Sequence, residues 1–233
     1  MRSHVVITGG GSGLGVVIAD ELASRGRPVI LVDRDEAAAV AAAGRLEARH
    51  RRPVPVVVAD LATPAGVEAA GAALERREDV GGLVNNAGGW QPGRQYPAAP
   101  ADAWQRALTL NLVAPMRLTQ LLWNAVAHGT GAVVNVGSSA GEGDEPYASP
   151  EYGAAKAALR RFTSSLGDRG DDVRVMAVVP GWIGLPRALD EFASLTPAQQ
   201  HRAGPLIPPR EIATQVARLI DDGRPGEVVE LLE

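Results

Sequence analysis

Short apolar runs and longer stretches with helical periodicity alternate along this chain of 233 residues. The apolar runs have the length of buried strands and predict about seven of them. They cover residues 4–8, 28–32, 53–59, 82–85, 131–137, 173–179 and 228–232. The run at 53–59 is almost entirely Val, which is typical of a strand buried on both faces of a parallel sheet.

The stretches between the runs predict helices. The first follows Gly15 and ends at about residue 25, and the others cover about residues 35–50, 101–128, 151–166 and 211–221. Thr63 and Pro64 are suited to the N-cap and first position of another helix. Pro115 predicts a bend in the long helix, because proline has no N–H to donate. We expect this bend to free a carbonyl and let Asn111 reach inward.

This alternation predicts an α/β fold in which one doubly wound parallel sheet is flanked by helices on both faces. We expect residues 1–233 to form a single domain. Residues 185–208 contain several prolines and are predicted to form a helical lid over the site.

The first strand is followed by a glycine-rich turn, Gly9-Gly10-Gly11-Ser12-Gly13-Leu14-Gly15. The G-x-G-x-x-G spacing does not fit, because its third glycine would fall on Leu14 or Val16. Thr8-Gly9-x-x-x-Gly13-x-Gly15 fits instead. Glycines allow positive φ and close approach of a pyrophosphate, and the following helix offers free N–H groups. The turn therefore predicts a dinucleotide site.

Acidic residues follow the next two strands. Asp33 lies 18 residues after Gly15, where a dinucleotide fold places the carboxylate that binds the adenosine ribose. The carboxylate favours NAD, whereas the neighbouring Arg34 could accept the 2'-phosphate of NADP. Asp60 could contact the adenine or only shape the turn after the third strand.

Tyr152 and Lys156 lie one helical turn apart, so a phenol and an ammonium can face the same site. The chain has 22 arginines and this single lysine. A cation about 4 Å away, at an effective dielectric of about 20, would lower the tyrosine pKa by about three units. We then expect Tyr152 to exchange a proton near neutral pH. Taken alone, such a pair also arises by chance on helix surfaces.

Amides and serines are placed at strand ends. We expect Asn85 and Asn86 to brace neighbouring strands and border the cofactor. Ser138 and Ser139 follow the fifth strand, and ligands bind at the carboxyl ends of strands in open α/β sheets. By itself, Asn111 is more typical of a buried structural amide.

Composition excludes several classes of function. The formal net charge is −4 and no long basic run occurs, which argues against nucleic acid as a partner. The absence of cysteine excludes disulfides, thiol catalysis and thiolate metal sites, and no metal site is predicted. We see no signal peptide or membrane-length apolar stretch, so we expect a cytoplasmic protein without a membrane partner.

The chain resembles the short-chain dehydrogenases/reductases in their single-domain branch, which has the Rossmann fold. The resemblance covers nearly the whole chain. Its motifs occur in order as Thr8-Gly9-x-x-x-Gly13-x-Gly15, Asn85-Asn86-Ala87-Gly88, Asn111, Asn135-Val136-Gly137-Ser138-Ser139-Ala140-Gly141, Tyr152-x-x-x-Lys156 and Pro180-Gly181. Six ordered matches are far more specific than one, and they replace the structural interpretation of Asn111 with a functional one.

The resemblance implies a role for each matching residue. Tyr152 would be the general acid/base, Lys156 would lower its pKa and hold the nicotinamide ribose, Ser138 would orient the substrate, and Asn111 would anchor a proton-relaying water. Cofactor contacts are implied for Gly9, Ser12, Gly13, Leu14, Gly15, Asp33, Arg34, Asp60, Leu61, Asn86, Gly88, Tyr152, Lys156, Pro180, Gly181 and Ile183.

The predicted function is hydride transfer between NAD, or alternatively NADP, and a secondary alcohol or ketone. The alternative is a non-catalytic, redox-sensing dinucleotide-binding protein. Aromatic residues on the predicted loops suggest an apolar, cyclic substrate, although they could equally close the loop cores. The substrate candidates are Trp90, Ser139, Tyr147 and Trp182.

Two departures from the family pattern concern the cofactor amide and the C-terminus. Leu185 replaces a common threonine, so one hydroxyl contact to the cofactor is missing, and the C-terminal tail is short. The resemblance also implies a homotetramer or homodimer assembled through residues 101–128 and 151–166.

Overall fold

The computed structural model describes residues 3–90, 92–143, 147–167 and 172–232. Within these residues seven strands form one sheet, in the order β3-β2-β1-β4-β5-β6-β7, and every neighbouring pair is parallel. The strands are β1 His4–Thr8, β2 Val29–Asp33, β3 Val56–Val58, β4 Val80–Asn85, β5 Ala132–Val136, β6 Arg174–Pro180 and β7 Val228–Leu231. The predicted doubly wound Rossmann-type sheet is confirmed.

Helices cover both faces of the sheet. They are α1 Gly13–Ser24, α2 Glu36–His50, α3 Pro64–Glu75, α4 Ala101–Leu108, α5 Ala114–Leu121, α6 Trp123–Ala127, α7 Pro150–Gly167, α8 Pro186–Ala193, α9 Pro197–Ala203 and α10 Pro209–Asp222. Side chains alternate along each strand, so Val5 and Ile7 enter one core with α1, α2 and α10, and Val6 enters the other with α3, α5 and α6.

The prediction for residues 53–59 is wrong in its burial. The strand there is short and lies at the edge of the sheet, with Val58 49% exposed. A Val-rich run does not encode strand order, and the edge position leaves one side of β3 unpaired. By contrast, the predicted cap is confirmed, because the Thr63 side chain accepts a hydrogen bond from the Gly66 amide and Pro64 begins α3.

The predicted bend in residues 101–128 is a π-helical turn at Thr109–Val113, between α4 and α5. The Ala114 amide donates to the Thr109 carbonyl, five residues earlier. Pro115 lies in the first turn of α5, where its missing N–H costs least. The turn moves Asn111 into the interior, where it is fully buried.

The predicted lid, residues 185–208, contains the two short helices α8 and α9. We use the name lid segment for residues 185–206, which precede the Ile207 bridge. Its two ends are joined at the base, because the Ile207 amide donates to the Trp182 carbonyl and the Gly184 amide donates to the Ile207 carbonyl. Gly181 is joined to β7 through its amide and the Leu231 carbonyl. No helix among the residues described is long and apolar enough to cross a membrane.

Candidate active site

The glycine-rich turn leaves the carboxyl end of β1 and leads directly into α1. Gly9 and Gly13 have φ values of +65° and +53°, in the left-handed region that favours glycine. A Cβ on Gly15 would lie 2.0 Å from the Gly9 carbonyl oxygen, so only glycine allows the turn to fold back. Ser12 is the N-cap of α1, and its side chain makes no capping hydrogen bond. Its hydroxyl and the first amides of α1 can therefore bind a phosphate. Leu14 is buried, so only its backbone can contribute.

Thr8 and Asn86 attach this turn to the end of β4. The Thr8 hydroxyl oxygen accepts from the amides of Asn86 and Ala87, at 3.0 and 2.9 Å. The Asn86 side-chain amide donates to the Thr8 carbonyl at 2.8 Å. The predicted bracing by Asn86 is confirmed, and it fixes the position of the turn relative to the neighbouring loop.

Asp33 ends β2 and faces the same turn. Its carboxylate accepts from the Gly11 amide at 2.9 Å and from the Asp35 amide at 3.1 Å. Arg34 is exposed beside it. A cavity of about 150 Å³ brings together several predicted cofactor residues, namely Gly9, Asp33, Arg34, Asp60, Leu61 and Gly88.

Asp60 closes the far end of this cavity. Its carboxylate accepts from the Ala62 amide at 3.0 Å and from Arg106 of α4 at 2.9 Å. Burial raises the pKa of Asp60, but these hydrogen bonds and the nearby Arg34 outweigh it and hold the pKa below its usual value. Asp60 therefore shapes the turn after β3 through the Ala62 amide, which was one of its two predicted roles. Its other carboxylate oxygen pairs with Arg106.

Tyr152 and Lys156 lie one turn apart on α7, at the carboxyl end of β5. The Lys156 ammonium nitrogen lies 5.8 Å from the centre of the Tyr152 ring. It donates a hydrogen bond of 2.8 Å to the carbonyl of Val136, the last residue of β5. The lysine side chain is buried, with 4% of the residue exposed. The helix therefore places the two groups together, as their spacing predicts.

The predicted pKa shift of Tyr152 is wrong in direction. Burial raises its pKa to about 12, although a hydrogen bond with Ser138 acts in the opposite direction. Burial also lowers the pKa of Lys156 to about 8. A lowered pKa requires a cation about 4 Å from the phenol, but the Lys156 ammonium points towards the Val136 carbonyl instead. Desolvation then outweighs the attraction.

Ser138 and Ser139 differ in their surroundings. Ser138 is partly buried, and its hydroxyl oxygen accepts from the Ala140 amide at 3.2 Å while it also bonds to Tyr152. Ser139 is exposed and begins a short 3₁₀ turn. A Cβ on Gly141, which ends this turn, would lie 2.5 Å from the Ala157 amide nitrogen of α7. This close packing holds Ser138 against the helix that carries the tyrosine.

Asn111 connects the π-helical turn to the loop after β4. Its side-chain oxygen accepts from the Gly89 amide at 2.9 Å, and its nitrogen donates to the carbonyls of Gly89 and Ala107. A Cβ on Gly88 would lie 2.7 Å from that oxygen and 3.2 Å from the Lys156 ammonium. The amide therefore borders the lysine, and the glycine is required for this approach.

A buried row of polar side chains fixes α7 against the sheet. The Asn85 side-chain nitrogen donates to the Asn135 oxygen at 2.9 Å, and the Asn135 nitrogen donates to the Thr163 hydroxyl at 2.9 Å. All three residues are at most 2% exposed. Since Thr163 and Lys156 belong to the same helix, these hydrogen bonds fix the position of α7 along β5.

Aromatic side chains pack beside Tyr152 and against α8. The Tyr147 and Tyr152 rings lie 5.9 Å apart, and Trp182 makes an edge contact with Phe192 of α8 at 5.8 Å. Trp90 lies under Arg187 of α8, with 5.6 Å between the guanidinium carbon and the ring centre. The lid segment thus contacts the predicted substrate residues Trp90 and Trp182 directly.

The segment after β6 passes the glycine-rich turn. Pro180 is buried at the end of the strand, and Gly181 and Ile183 are partly exposed beyond it. The Leu185 methyl group lies 3.6 Å from where a Cβ on Gly13 would be. An apolar side chain therefore covers the turn where a threonine would offer a hydroxyl.

Comparisons with known proteins decide the family. A family model described as short chain dehydrogenase matches residues 3–192. The chain belongs to this family. It is therefore an NAD(P)-dependent oxidoreductase that acts on alcohol or ketone groups.

Named members of the short-chain dehydrogenase family resemble the chain over most of its length. Galactitol 2-dehydrogenase (L-tagatose-forming) of Cereibacter sphaeroides is 33% identical, covering 78% of this chain and 72% of the relative. Cis-4-hydroxycyclohexanecarboxylate dehydrogenase of Sinomonas cyclohexanicum is 33% identical, and the match covers 93% of this chain and 88% of the relative. The relatives act on small-molecule alcohols or ketones.

One solved family member is L-sorbose reductase from Gluconobacter frateurii complexed with NADPH and L-sorbose. It has a TM-score of 0.84 and 26% identity, and the match covers 99% of this chain and 95% of that chain. A short-chain dehydrogenase from Sphingobium yanoikuyae in complex with NADPH has a TM-score of 0.83 and 28% identity, and the match covers 98% of this chain and 87% of that chain. These neighbours support NAD(P) binding but point towards NADP rather than the predicted NAD.

Sequence reasoning missed two arginines that belong to this dehydrogenase site, Arg106 and Arg187. Each lies on a helix far along the chain from the residue that it contacts, Asp60 and Trp90 respectively. No local spacing relates these partners, so no pattern in the sequence could have identified them.

Proposed function

We propose that this dehydrogenase uses Tyr152 as its general acid/base in the conversion between a ketone and a secondary alcohol. The observation that carries the proposal is the meeting of four side chains at the carboxyl ends of β4 and β5. They are Asn111, Ser138, Tyr152 and Lys156, and each borders another through the contacts described above.

Each side chain has a distinct task in this proposal. When bound, the nicotinamide cofactor supplies or accepts the hydride. Ser138 donates a hydrogen bond to the substrate oxygen and orients it towards Tyr152. Tyr152 gives its proton to that oxygen in reduction and takes it back in oxidation. Lys156 and Asn111 hold the loop after β4 and helix α7 in fixed positions relative to each other.

The protonation state of Tyr152 suits it to donate a proton to a ketone oxygen. Because burial raises the pKa of Tyr152 to about 12, the phenol carries its proton throughout the neutral range. A protonated phenol next to the substrate oxygen acts as a general acid. Oxidation needs the phenolate, which the Ser138 hydrogen bond stabilises.

We propose that the glycine-rich turn and Asp33 hold the cofactor. The turn suits a pyrophosphate because its glycines let the chain fold back closely just before the N-terminus of α1, and because the Ser12 hydroxyl has no capping partner. Asp33 is oriented by two backbone amides and can accept hydrogen bonds from ribose hydroxyls. Its negative charge repels a 2'-phosphate, which supports NAD, whereas Arg34 and the solved neighbours support NADP.

Kinetics with both cofactors test the preference. We expect a higher kcat/KM with NAD than with NADP. We expect Asp33→Asn to reduce the ratio of kcat/KM for NAD to kcat/KM for NADP by about tenfold, or about 1.4 kcal/mol. A wild-type preference for NADP that disappears in Arg34→Met would assign the ribose site to the arginine and refute the role of Asp33.

The substrate proposal is an apolar, cyclic ketone or alcohol. Trp90, Tyr147 and Trp182 offer aromatic surface beside Tyr152 and α8, which favours a ring-shaped apolar body. One relative is named for a cyclohexane substrate, which agrees with this choice.

A serine pair tests the function. Purified enzyme with reduced cofactor and a panel of cyclic and open-chain ketones should consume the reduced nicotinamide, and Ser138→Ala should lower kcat by roughly 100-fold. Ser139→Ala is the matched control, since Ser139 is exposed and we expect a far smaller effect. A larger loss in Ser139→Ala would contradict the role of Ser138. Cofactor binding without turnover of any ketone or alcohol would favour the redox-sensing alternative.

We also propose self-association through α5 and α7. Val113 of the π-helical turn and Met116 of α5 are 48% and 40% exposed, and they line a groove together with Phe162 and Leu166 of α7. Burying such a surface between two copies would stabilise a dimer or a tetramer. Light scattering of the wild type should give a multiple of 24.2 kDa, and Met116→Glu should lower it. A monomeric wild type would refute this assembly.

A further inference from the structure

Arg187 brings a permanent positive charge to the mouth of the site. It lies in the first turn of α8, on the lid segment, and its guanidinium lies over the Trp90 ring. The guanidinium also pairs with Glu191, one turn further along α8, at 3.4 Å. Both side chains are largely exposed, at 63% and 46%. The charge is therefore held over an aromatic surface while part of the guanidinium remains free to meet a ligand.

Tyr147 relates this charge to the reacting end of the site. Its ring packs 5.9 Å from the Tyr152 ring. Burial raises the pKa of Tyr147, while Arg187 lowers it and Glu191 raises it. Tyr147 therefore lies within electrostatic reach of Arg187 and in contact with the proton donor. A molecule with its oxygen at Tyr152 and its body along the Tyr147 ring would extend towards the charge of Arg187.

The ion pair with Glu191 is easily replaced. Pairs of this kind between exposed side chains on a helix contribute little to stability, because water screens both charges. A carboxylate that accepts two parallel hydrogen bonds from a guanidinium binds more strongly, and the fork of arginine matches its shape. Stacking on Trp90 holds the guanidinium plane in place, so it loses less freedom when a ligand binds.

We propose that Arg187 binds a carboxylate of the substrate. The substrate class is then a hydroxy acid or keto acid in which an apolar body about the size of one ring separates the carboxylate from the reacting carbon. This assignment rests on the proposed function of the same site. It adds an anionic group at the end opposite to Tyr152, and it makes α8 the element that selects for the charged end of the substrate.

Ligand binding tests the proposal without requiring turnover. Isothermal titration of the NAD-saturated enzyme compares cyclohexanecarboxylate with cyclohexanecarboxamide, which has the same shape and no charge. We expect the wild type to bind the acid about tenfold more tightly than the amide, and Arg187→Met to bind both equally. Arg187→Lys should retain part of the preference, because it keeps the charge and loses the fork.

Arg224→Met is the matched control. Arg224 precedes β7, at the amino ends of the parallel strands, whereas the site lies at their carboxyl ends. Its side chain is 87% exposed, so this variant removes one positive charge away from the site. We expect it to bind both ligands as the wild type does. An equal effect of Arg224→Met and Arg187→Met would overturn the proposal, because the preference would then reflect net charge alone.

Three further results would overturn the proposal. The first is a wild type that binds the amide as tightly as the acid. The second is an Arg187→Met variant that weakens both ligands alike, which would make Arg187 a support of the lid segment only. The third is a loss of NAD affinity in Arg187→Met with an unchanged acid preference, which would assign the guanidinium to a cofactor phosphate. Failure of the proposed function is distinguishable, since it would abolish turnover of neutral ketones and leave these binding ratios unchanged.

Discussion

Replacing Lys156 by methionine should stabilise the protein near neutral pH. The lysine is 4% exposed, and burial lowers its pKa from 10.5 to about 8. Keeping the ammonium charged at neutral pH therefore costs the folded state about 3 kcal/mol, from about 2.5 pKa units at 1.36 kcal/mol each. Methionine has a similar shape and no charge, but it leaves the Val136 carbonyl without its donor, which costs about 1 kcal/mol.

The expected net gain is about 2 kcal/mol near neutral pH, or a rise in Tm of roughly 4–8 °C. The gain depends on pH. The folded-state pKa is depressed, so between about 8 and 10.5 the unfolded chain still binds the proton that the folded protein has lost. Wild-type stability therefore rises with pH through this window, and the advantage of Lys156→Met shrinks.

Urea denaturation at several pH values measures these differences in the free energy of unfolding. Lys156→Arg is the matched control, because arginine stays charged in the same buried place and should be less stable than the wild type at every pH. A Lys156→Met protein that is less stable than the wild type near neutral pH, or whose advantage does not change with pH, would refute the reasoning.

Two further predictions concern packing. A Cβ on Gly141 would lie 2.5 Å from the Ala157 amide nitrogen, so Gly141→Ala should displace α7 and lower kcat. A Cβ on Gly44 meets nothing within 4 Å, so Gly44→Ala should leave kcat unchanged and raise the free energy of unfolding by about 0.5–1 kcal/mol. Equal kcat values in the two variants would contradict the predicted displacement of α7. Thr163→Val should lower the free energy of unfolding by about 1–3 kcal/mol, because the buried Asn135 side-chain amide loses its acceptor. Urea denaturation measures this loss, and an unchanged free energy of unfolding would show that the hydrogen bond to Thr163 does not stabilise the protein.

Local patterns predicted the elements of this fold well. The strand His4–Thr8 matches its apolar run, and the cap at Thr63 follows from side-chain chemistry and Pro64. These features depend on neighbours within a few residues. The edge position of β3 could not be predicted, because strand order is set by packing between segments far apart in sequence.

The candidate site shows the same division. Spacing predicted that Tyr152 and Lys156 share a face of α7, since that depends only on helical geometry. It did not predict that Lys156 points to the Val136 carbonyl, and so the direction of the Tyr152 pKa shift was wrong. Arg187 escaped notice because its contact with Trp90 joins two distant segments of the chain.

The central claim is that Tyr152 transfers the proton, and Tyr152→Phe tests it most directly. The substitution removes one hydroxyl and keeps the ring that packs against Tyr147. Turnover of a ketone that the wild type reduces and the dissociation constant of the cofactor should be measured on the same preparation. The account predicts a fall in kcat of at least roughly 100-fold with unchanged cofactor affinity. A variant that retains wild-type kcat would contradict it.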